Sequence, residues 1–429
     1  MQPPTTDPTA DPTASGVGRI DRDDEVSAFV MELGRGLLAY GAPTPAVEDA
    51  MTAAARALGV EAEAFAMPTM LQASFGPLHR QRQRFLRLDP GGVDLGGRAR
   101  LEEIAADVLC GRLGLEAGRV ALQDLRAATR GLPPWVSCAA VGVTAAATAR
   151  FFSGGGRESS VAFVLGALIG ALESAASRFV WLDRILPCVA ALTASAGAVL
   201  AAYMFGPLGV AIVVVSSLIV LLPGLSITTA VGELAARHLA AGTSRIAQSL
   251  ITLVLMAFGV ALGRTFADVI PRFSELELPP APPSWTLWLA LLVAPFGLAV
   301  RLNAAARDVP AVFLGGVAGF LAGRTASERL GGVIGAFVAA FCVTLLANGW
   351  SRRSGRTAAI ILTPGLLMLV PGSLGFRSLA SLVRSEVVEG VAGVFNVILI
   401  AVAIVTGLFL AMQILPPREA SSEGSRKTG

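Results

Sequence analysis

Charge is scarce in this chain of 429 residues: only 15% of it is Asp, Glu, Lys or Arg against 54% hydrophobic residues, and the mean hydropathy is +0.66. A soluble protein of this length needs a more polar surface, so the composition excludes a soluble enzyme and identifies a membrane protein. Lysine is all but missing, with Lys427 alone, and a net charge of +3 carried by scattered arginines gives nucleic-acid binding no support. The two histidines, His79 and His238, are isolated, and Cys110, Cys138, Cys188 and Cys342 show no CxxC spacing. Neither a disulfide framework nor a zinc site is expected from them. GxGxxG, P-loop, GxSxG and HExxH arrangements are lacking in any suitable context, which disfavours an ATP-driven pump or a hydrolase. No catalytic residue, metal or cofactor is therefore expected. The opening MQPPTTDPTADPTASG has neither the basic nor the apolar region of a secretory leader, so insertion is expected to start at an internal helix and leave the first domain in the cytoplasm.

What the chain has in quantity is long apolar runs, and they begin only near Trp135. Ten segments reach the length that crosses hydrocarbon as a helix, near 135–152, 159–178, 185–204, 207–228, 246–264, 285–302, 309–324, 330–349, 357–374 and 391–414. The polar loop with Pro279-Pro280-Ala281-Pro282-Pro283 splits them five and five. Odd halves run in opposite senses, so a repeat between them is an inverted one. Arginine balance favours both termini inside: Arg178, Arg184, Arg237, Arg245, Arg301, Arg352 and Arg353 against Arg150, Arg157, Arg264, Arg324 and Arg329.

The predicted fold is thus a polytopic α-helical membrane protein, about ten transmembrane helices in two five-helix halves, preceded by a small cytoplasmic α/β domain. Its parts are a disordered tail (1–24), the cytoplasmic domain (25–131), a first half (132–264), a linker (265–284), a second half (285–415) and a cytoplasmic tail (416–429). In the cytoplasmic domain Val26, Val30, Leu33 and Leu37 recur at helical spacing, and Val47, Met51, Ala54 and Leu58 mark a second helix with Thr44 as its N-cap. Short strands are predicted at 60–66, 70–75 and 85–88, then helices at 99–112 and 117–129. The run His79 to Arg84 reads as a solvated strand face or an anionic-lipid contact.

Candidate chemistry lies where apolar runs are broken. Pro223-Gly224 and Pro371-Gly372 interrupt the fourth and ninth segments, with Pro364-Gly365 adding to the second interruption. Proline removes a donor and glycine loosens the helix, so main-chain groups there need other partners. Paired breaks in two halves point to a binding site near the midplane. Ser226, Thr228, Thr229 and Ser373 offer hydroxyls, Arg377 faces a carboxylate, and Glu233 counters an ammonium group or carries a proton. The bland alternative for Glu233 is a surface pair with Arg237. Glu173 is an acid inside a predicted span and the second proton-coupling candidate.

Tyr40-Gly41-Ala42-Pro43-Thr44 through Glu48, Leu58-Gly59, Pro68, Ser74, Pro223-Gly224-Leu225 and Leu369-Val370-Pro371-Gly372-Ser373 with Arg377-Ser378-Leu379 together resemble the threonine/serine exporter family over roughly residues 25 to 415. The resemblance implies a cytoplasmic N-terminal domain, ten spans, two halves that occur as separate chains in some bacteria, and gradient-driven efflux of small hydroxylated amino acids across the plasma or inner membrane. Met67-Pro68-Thr69-Met70 departs from the family's usual proline and glycine pair. Two other functions stay open: a dicarboxylate (succinate-type) exporter of the same architecture, and a membrane-anchored enzyme or receptor acting through the N-terminal domain. The expected partners are the small-molecule substrate (threonine, serine or related) and the lipid bilayer, with a homo-oligomer as an open alternative.

Overall fold

A computed structural model describes residues 12–89, 91–127, 132–269, 282–369, 376, 378 and 387–417. They fall into two compact units, one from the segments up to 92 and 100–128, the other from 93–99 and the chain from 129 to 418.

The N-terminal unit runs α1 (Pro12–Ala39), α2 (Thr44–Ala57), β1 (Ala62–Met67), β2 (Met70–Phe75), β3 (Arg82–Arg87), α3 (Leu95–Leu109) and α4 (Leu115–Ala127). Helix α1 starts at Pro12, inside the stretch expected to be a disordered tail. It ends on Gly41, whose φ of 79° is the left-handed conformation that closes a helix without a Cβ penalty. The amides of Gly41 and Ala42 then return to the carbonyls of Leu38 and Leu37, at 3.1 and 2.9 Å. The cap of α2 is the extended Pro43 rather than Thr44, which is already its first helical residue. Proline at this point has no amide to leave unsatisfied. Glu48 accepts from the Ala66 amide at 2.8 Å and so ties α2 to β1.

The three strands form one antiparallel sheet in the order β1-β2-β3, with Ala64 opposite Ala73 and Ala73 opposite Arg84. Strand β3 begins three residues before its predicted start. The extra residues belong to the run read as a solvated strand face, and within it Arg82 and Arg84 both pair with Asp24, at 2.7 and 3.2 Å. One face of β2, through Leu71, Ala73 and Phe75, packs on Phe29, Val30, Met51 and Leu101 to make the core.

The second unit contains α5 (Pro134–Phe151), α6 (Gly156–Ala176), α7 (Val180–Phe205), α8 (Val210–Ser217), α9 (Gly224–Ala235), α10 (Leu239–Val269), α11 (Trp285–Arg301), α12 (Val309–Leu330), α13 (Gly332–Ser354), α14 (Ala359–Leu369) and α15 (Val387–Ile414). Among the described residues six helices are long and apolar enough to cross a bilayer: those at the positions of α6, α7, α10, α12, α13 and α15. The molecule is a multi-pass membrane protein. Shorter apolar helices stand at α11 and α14, and α8 and α9 divide one predicted segment between them. Large apolar side chains such as Val164, Leu200, Leu250, Phe296 and Phe395 point outward, as lipid contact requires.

Helix pairings recur in the two halves of this unit. In the first, α5 packs on α6, α6 on α7 and α7 on α10, while α8 touches α5, α6 and α7. In the second, α11 packs on α12, α12 on α13 and α13 on α15, while α14 touches α11, α12 and α13. The leading helices of the halves, α5 and α11, run antiparallel against each other. Arg150 at the end of α5 donates to Thr286 and to the Pro283 carbonyl at the start of α11, whereas Gly297 late in α11 lies on Thr144. Contacts across the halves are reciprocal as well. The end of α5 meets α12 through Phe151 and Phe320, whose rings lie 4.8 Å apart, and the end of α11 meets α6 through Arg301 and Glu173, at 3.1 Å.

Candidate functional site

The fourth segment is broken at the expected place. Helix α8 stops at Ser217, and α9 starts at Gly224 after the irregular turn 218–223. Within that turn the Ile219 amide reaches back only to Ser216, the amides of Leu221 and Leu222 share the Leu218 carbonyl, and Gly224 bonds Leu222. The amides of Val220, Leu225 and Ser226 and the carbonyls of Ile219, Val220 and Leu221 have no backbone partner among the described residues. Pro223, lacking an amide, cannot carry the ladder across. The three free amides and carbonyls follow from that and from the open first turn of α9.

Around the break, Pro223 is half-buried and Gly224 buried, while Ser226 is exposed and Thr229 half-buried. Thr228 is buried and donates its hydroxyl proton to the Gly224 carbonyl at 3.2 Å, which leaves it only acceptor capacity. Ser216, one turn earlier, has a buried hydroxyl with no hydrogen-bond partner among the described residues.

Glu233 stands two turns along α9 with only 1% of its surface exposed. Arg237 does not partner it, since Arg237 sits in an exposed left-handed turn with φ 67°. Arg245 of α10 does, with its Nε 2.9 Å from both carboxylate oxygens. Glu173, near the end of α6, accepts from Arg301 of the other half, whose Nε is buried without a partner among the described residues. Each coupling candidate therefore carries an arginine that periodicity did not single out.

In the second half, Pro364 and Gly365 do not form a break, because α14 runs through both. One proline costs a helix a single internal bond, and close packing holds the rest. Gly365 is buried in a seam where a Cβ on Gly319 would lie 2.5 Å from its carbonyl oxygen and a Cβ on Gly315 would collide with the Ile361 carbonyl. This pair brings α12 and α14 together. Pro371, Gly372, Ser373 and Arg377 lie outside the described residues.

Residues just beyond each Pro-Gly pair enter the opposite half. Leu225 packs among Ala336, Ala340, Leu366, Ile400 and Ile404 of the second half. Phe376, 2% exposed, is buried among Ala190, Val213, Leu218 and Met256 of the first. A hollow of about 820 Å³ elsewhere, between α6 and α7, is lined by Val164, Leu168, Leu200, Met204 and Phe205. Its apolar walls suit an acyl chain, not a polar solute.

Two buried carboxylates escaped the sequence reading, Glu158 and Asp308, each 1% exposed. Both fell just outside predicted spans. The signal that marks them is a repeated pair, Arg157-Glu158 and Arg307-Asp308, opening the second helix of each half. Among the described residues no group of His, Cys, Asp and Glu is arranged to hold a metal ion.

Comparison with known proteins bears on the same residues. Residues 28–267 match the family described as "Putative threonine/serine exporter", and residues 287–414 match the one described as "Threonine/Serine exporter, ThrE". The chain is 25% identical over 372 residues to pheromone-regulated membrane protein 10 of Candida albicans (strain WO-1), covering 82% of this chain and 33% of that protein. Proteins of the same name match from Saccharomyces cerevisiae (strain YJM789), 23% identical over 359 residues, 82% of this chain and 46% of that one, and from Eremothecium gossypii, 25% over 372 residues, 82% and 48%. The chain thus spans between a third and a half of these relatives' length. No solved structure matches it.

Proposed function

The chain belongs to the threonine/serine exporter family, and from that premise we propose that it is a secondary-active exporter of small hydroxylated amino acids, threonine and serine, driven by the proton gradient. One observation carries the reading: at the Pro223-Gly224 break, main-chain donors and acceptors have no backbone partner among the described residues, at the point where the two halves exchange residues. Such a break is tolerated in a membrane only where it meets protein or a water-filled cavity. The segments are read as ten crossings in two inverted halves, supported by the antiparallel α5 and α11 and by the recurring helix pairings. Arginine balance favours both termini on the cytoplasmic side, and the family resemblance implies a plasma or inner membrane setting.

Threonine presents a carboxylate, an ammonium group and a hydroxyl. The Leu225 and Ser226 amides, at the positive end of α9, face the carboxylate. The carbonyls of Ile219, Val220 and Leu221 take the ammonium group, and Ser226 and Thr229 take the hydroxyl. Pro371, Gly372, Ser373 and Arg377 supply the second half's share. Coupling runs through Glu233 and Arg245: a proton on Glu233 loosens its hold on the guanidinium, which then attracts the substrate carboxylate. Glu173 and Arg301 form a second pair of the same kind across the halves.

Cells loaded with threonine- and serine-containing dipeptides, with and without the protein, test this reading when internal and external threonine, serine and succinate are measured. Faster appearance of external threonine and serine, with succinate unchanged, is the expected result. Succinate efflux alone transfers the architecture to a dicarboxylate exporter, and no change in any solute removes the transport reading.

A further inference from the structure

We propose that Glu158 and Asp308 are matched gate latches, positioning residues at opposite faces of the membrane, each holding the outer end of a short helix, α8 in the first half and α14 in the second. The proposal rests on the export reading and deepens it.

Both carboxylates occupy the same place in their halves. Glu158 lies in the first turn of α6, five residues after Ser153, and Asp308 stands at the N-cap position of α12, five residues after Asn303, without bonding its amides. Ser153 and Asn303 both have left-handed backbones, φ 65° and 48°. The third helices, α7 and α13, both end on a positive-φ glycine, Gly206 and Gly355. Each carboxylate then binds the stretch that follows that glycine. Glu158 accepts from its own Gly155 amide at 2.8 Å and from Gly209, the residue that opens α8, at 3.0 Å. Asp308 holds both terminal nitrogens of Arg356, which precedes α14 by three residues, one of them at 2.8 Å. The hydroxyl of Ser351 fixes the Arg356 carbonyl at 2.5 Å.

Burying a carboxylate is costly unless its partners are good, and neither of these two is used in solute binding. What they share is the element they fasten. Because the halves are read as inverted, the outer ends of α8 and α14 lie at opposite surfaces. Releasing one latch frees the entrance on its own side alone. The two differ in strength, since Glu158 accepts from neutral amides whereas Asp308 forms a forked ion pair.

The test uses the full chain with its four cysteines replaced, one reporter cysteine (Ser226→Cys) at the break, and a membrane-impermeant maleimide applied from each side. Gly156→Cys and Ala306→Cys, at exposed positions beside the two carboxylates, identify the faces. The markers are expected to react from opposite sides. Glu158→Gln should raise reporter labelling ~10-fold from the Gly156 side only. Asp308→Asn should raise it ~100-fold from the Ala306 side only, and the exchanged pair Asp308→Arg with Arg356→Asp should return it toward the starting rate. Where Asp308→Asn fails to accumulate, Arg356→Gln reads the same latch. Markers reacting from one face, or variants that fold normally yet change labelling on both faces or neither, overturn the latches while export stands. A reporter unreactive from both sides in every background, with no export by the unsubstituted chain, overturns the latches together with the reading beneath them.

Discussion

Replacing Arg245 with alanine takes the guanidinium from Glu233, a carboxylate with almost no exposed surface. Removing one partner of a buried pair costs about 3–5 kcal/mol, so Arg245→Ala should melt well below the parent in detergent. Adding Glu233→Gln should recover part of that loss, whereas two independent sites would lose more in the double variant. Proton coupling is a separate question at the same residues. With Glu173 and Glu233 both changed to glutamine, gradient-driven export should fall to the rate of passive exchange; unchanged export would remove the coupling assignment. Glu233 stood out as a candidate in the sequence because an acid near a break in an apolar run has few ordinary reasons to be there. Arg245 did not, because the pairing follows from how α10 folds back on α9.

Among the elements, the contrast between Pro223 and Pro364 shows what a proline in an apolar run decides. At Pro223 the chain has left the helical ladder by Leu218 and restarts in a new helix. At Pro364 the helix continues, held by the glycine seam of α12. Gly319→Ala should therefore cost about 1–3 kcal/mol by forcing backbones apart, seen as a lower melting temperature, while a like change at the exposed Gly156 should cost little. Sequence marks both prolines alike because the seam belongs to another helix. The first two strands and the second helix of the N-terminal unit were legible to within a few residues, since their periods of two and 3.6 are local, whereas α1 starts about a dozen residues before the expected end of the tail. Where β3 starts was not legible, because Asp24, which binds its arginines, comes from distant chain.

For the molecule as a whole, the exchange of Leu225 and Phe376 means that each half completes the other's core. Halves expressed separately, divided within 270–281, should be degraded alone and copurify when made together; a half that is stable and monodisperse by itself would contradict this. The sequence suggested a repeat through two Pro-Gly pairs and an odd number of expected spans per half, and the helix pairings recur in both halves. Its reciprocity was not visible there, since it lies in contacts between residues more than a hundred positions apart. The most direct measurement of the central claim is flux through purified protein in liposomes with an imposed proton gradient, following labelled threonine. Threonine should move against its own gradient only when the proton gradient is present, and Pro223→Ala, which restores an amide to the break, should abolish the movement. Threonine flux that is equal with and without protein, or insensitive to the repaired break, would contradict the account.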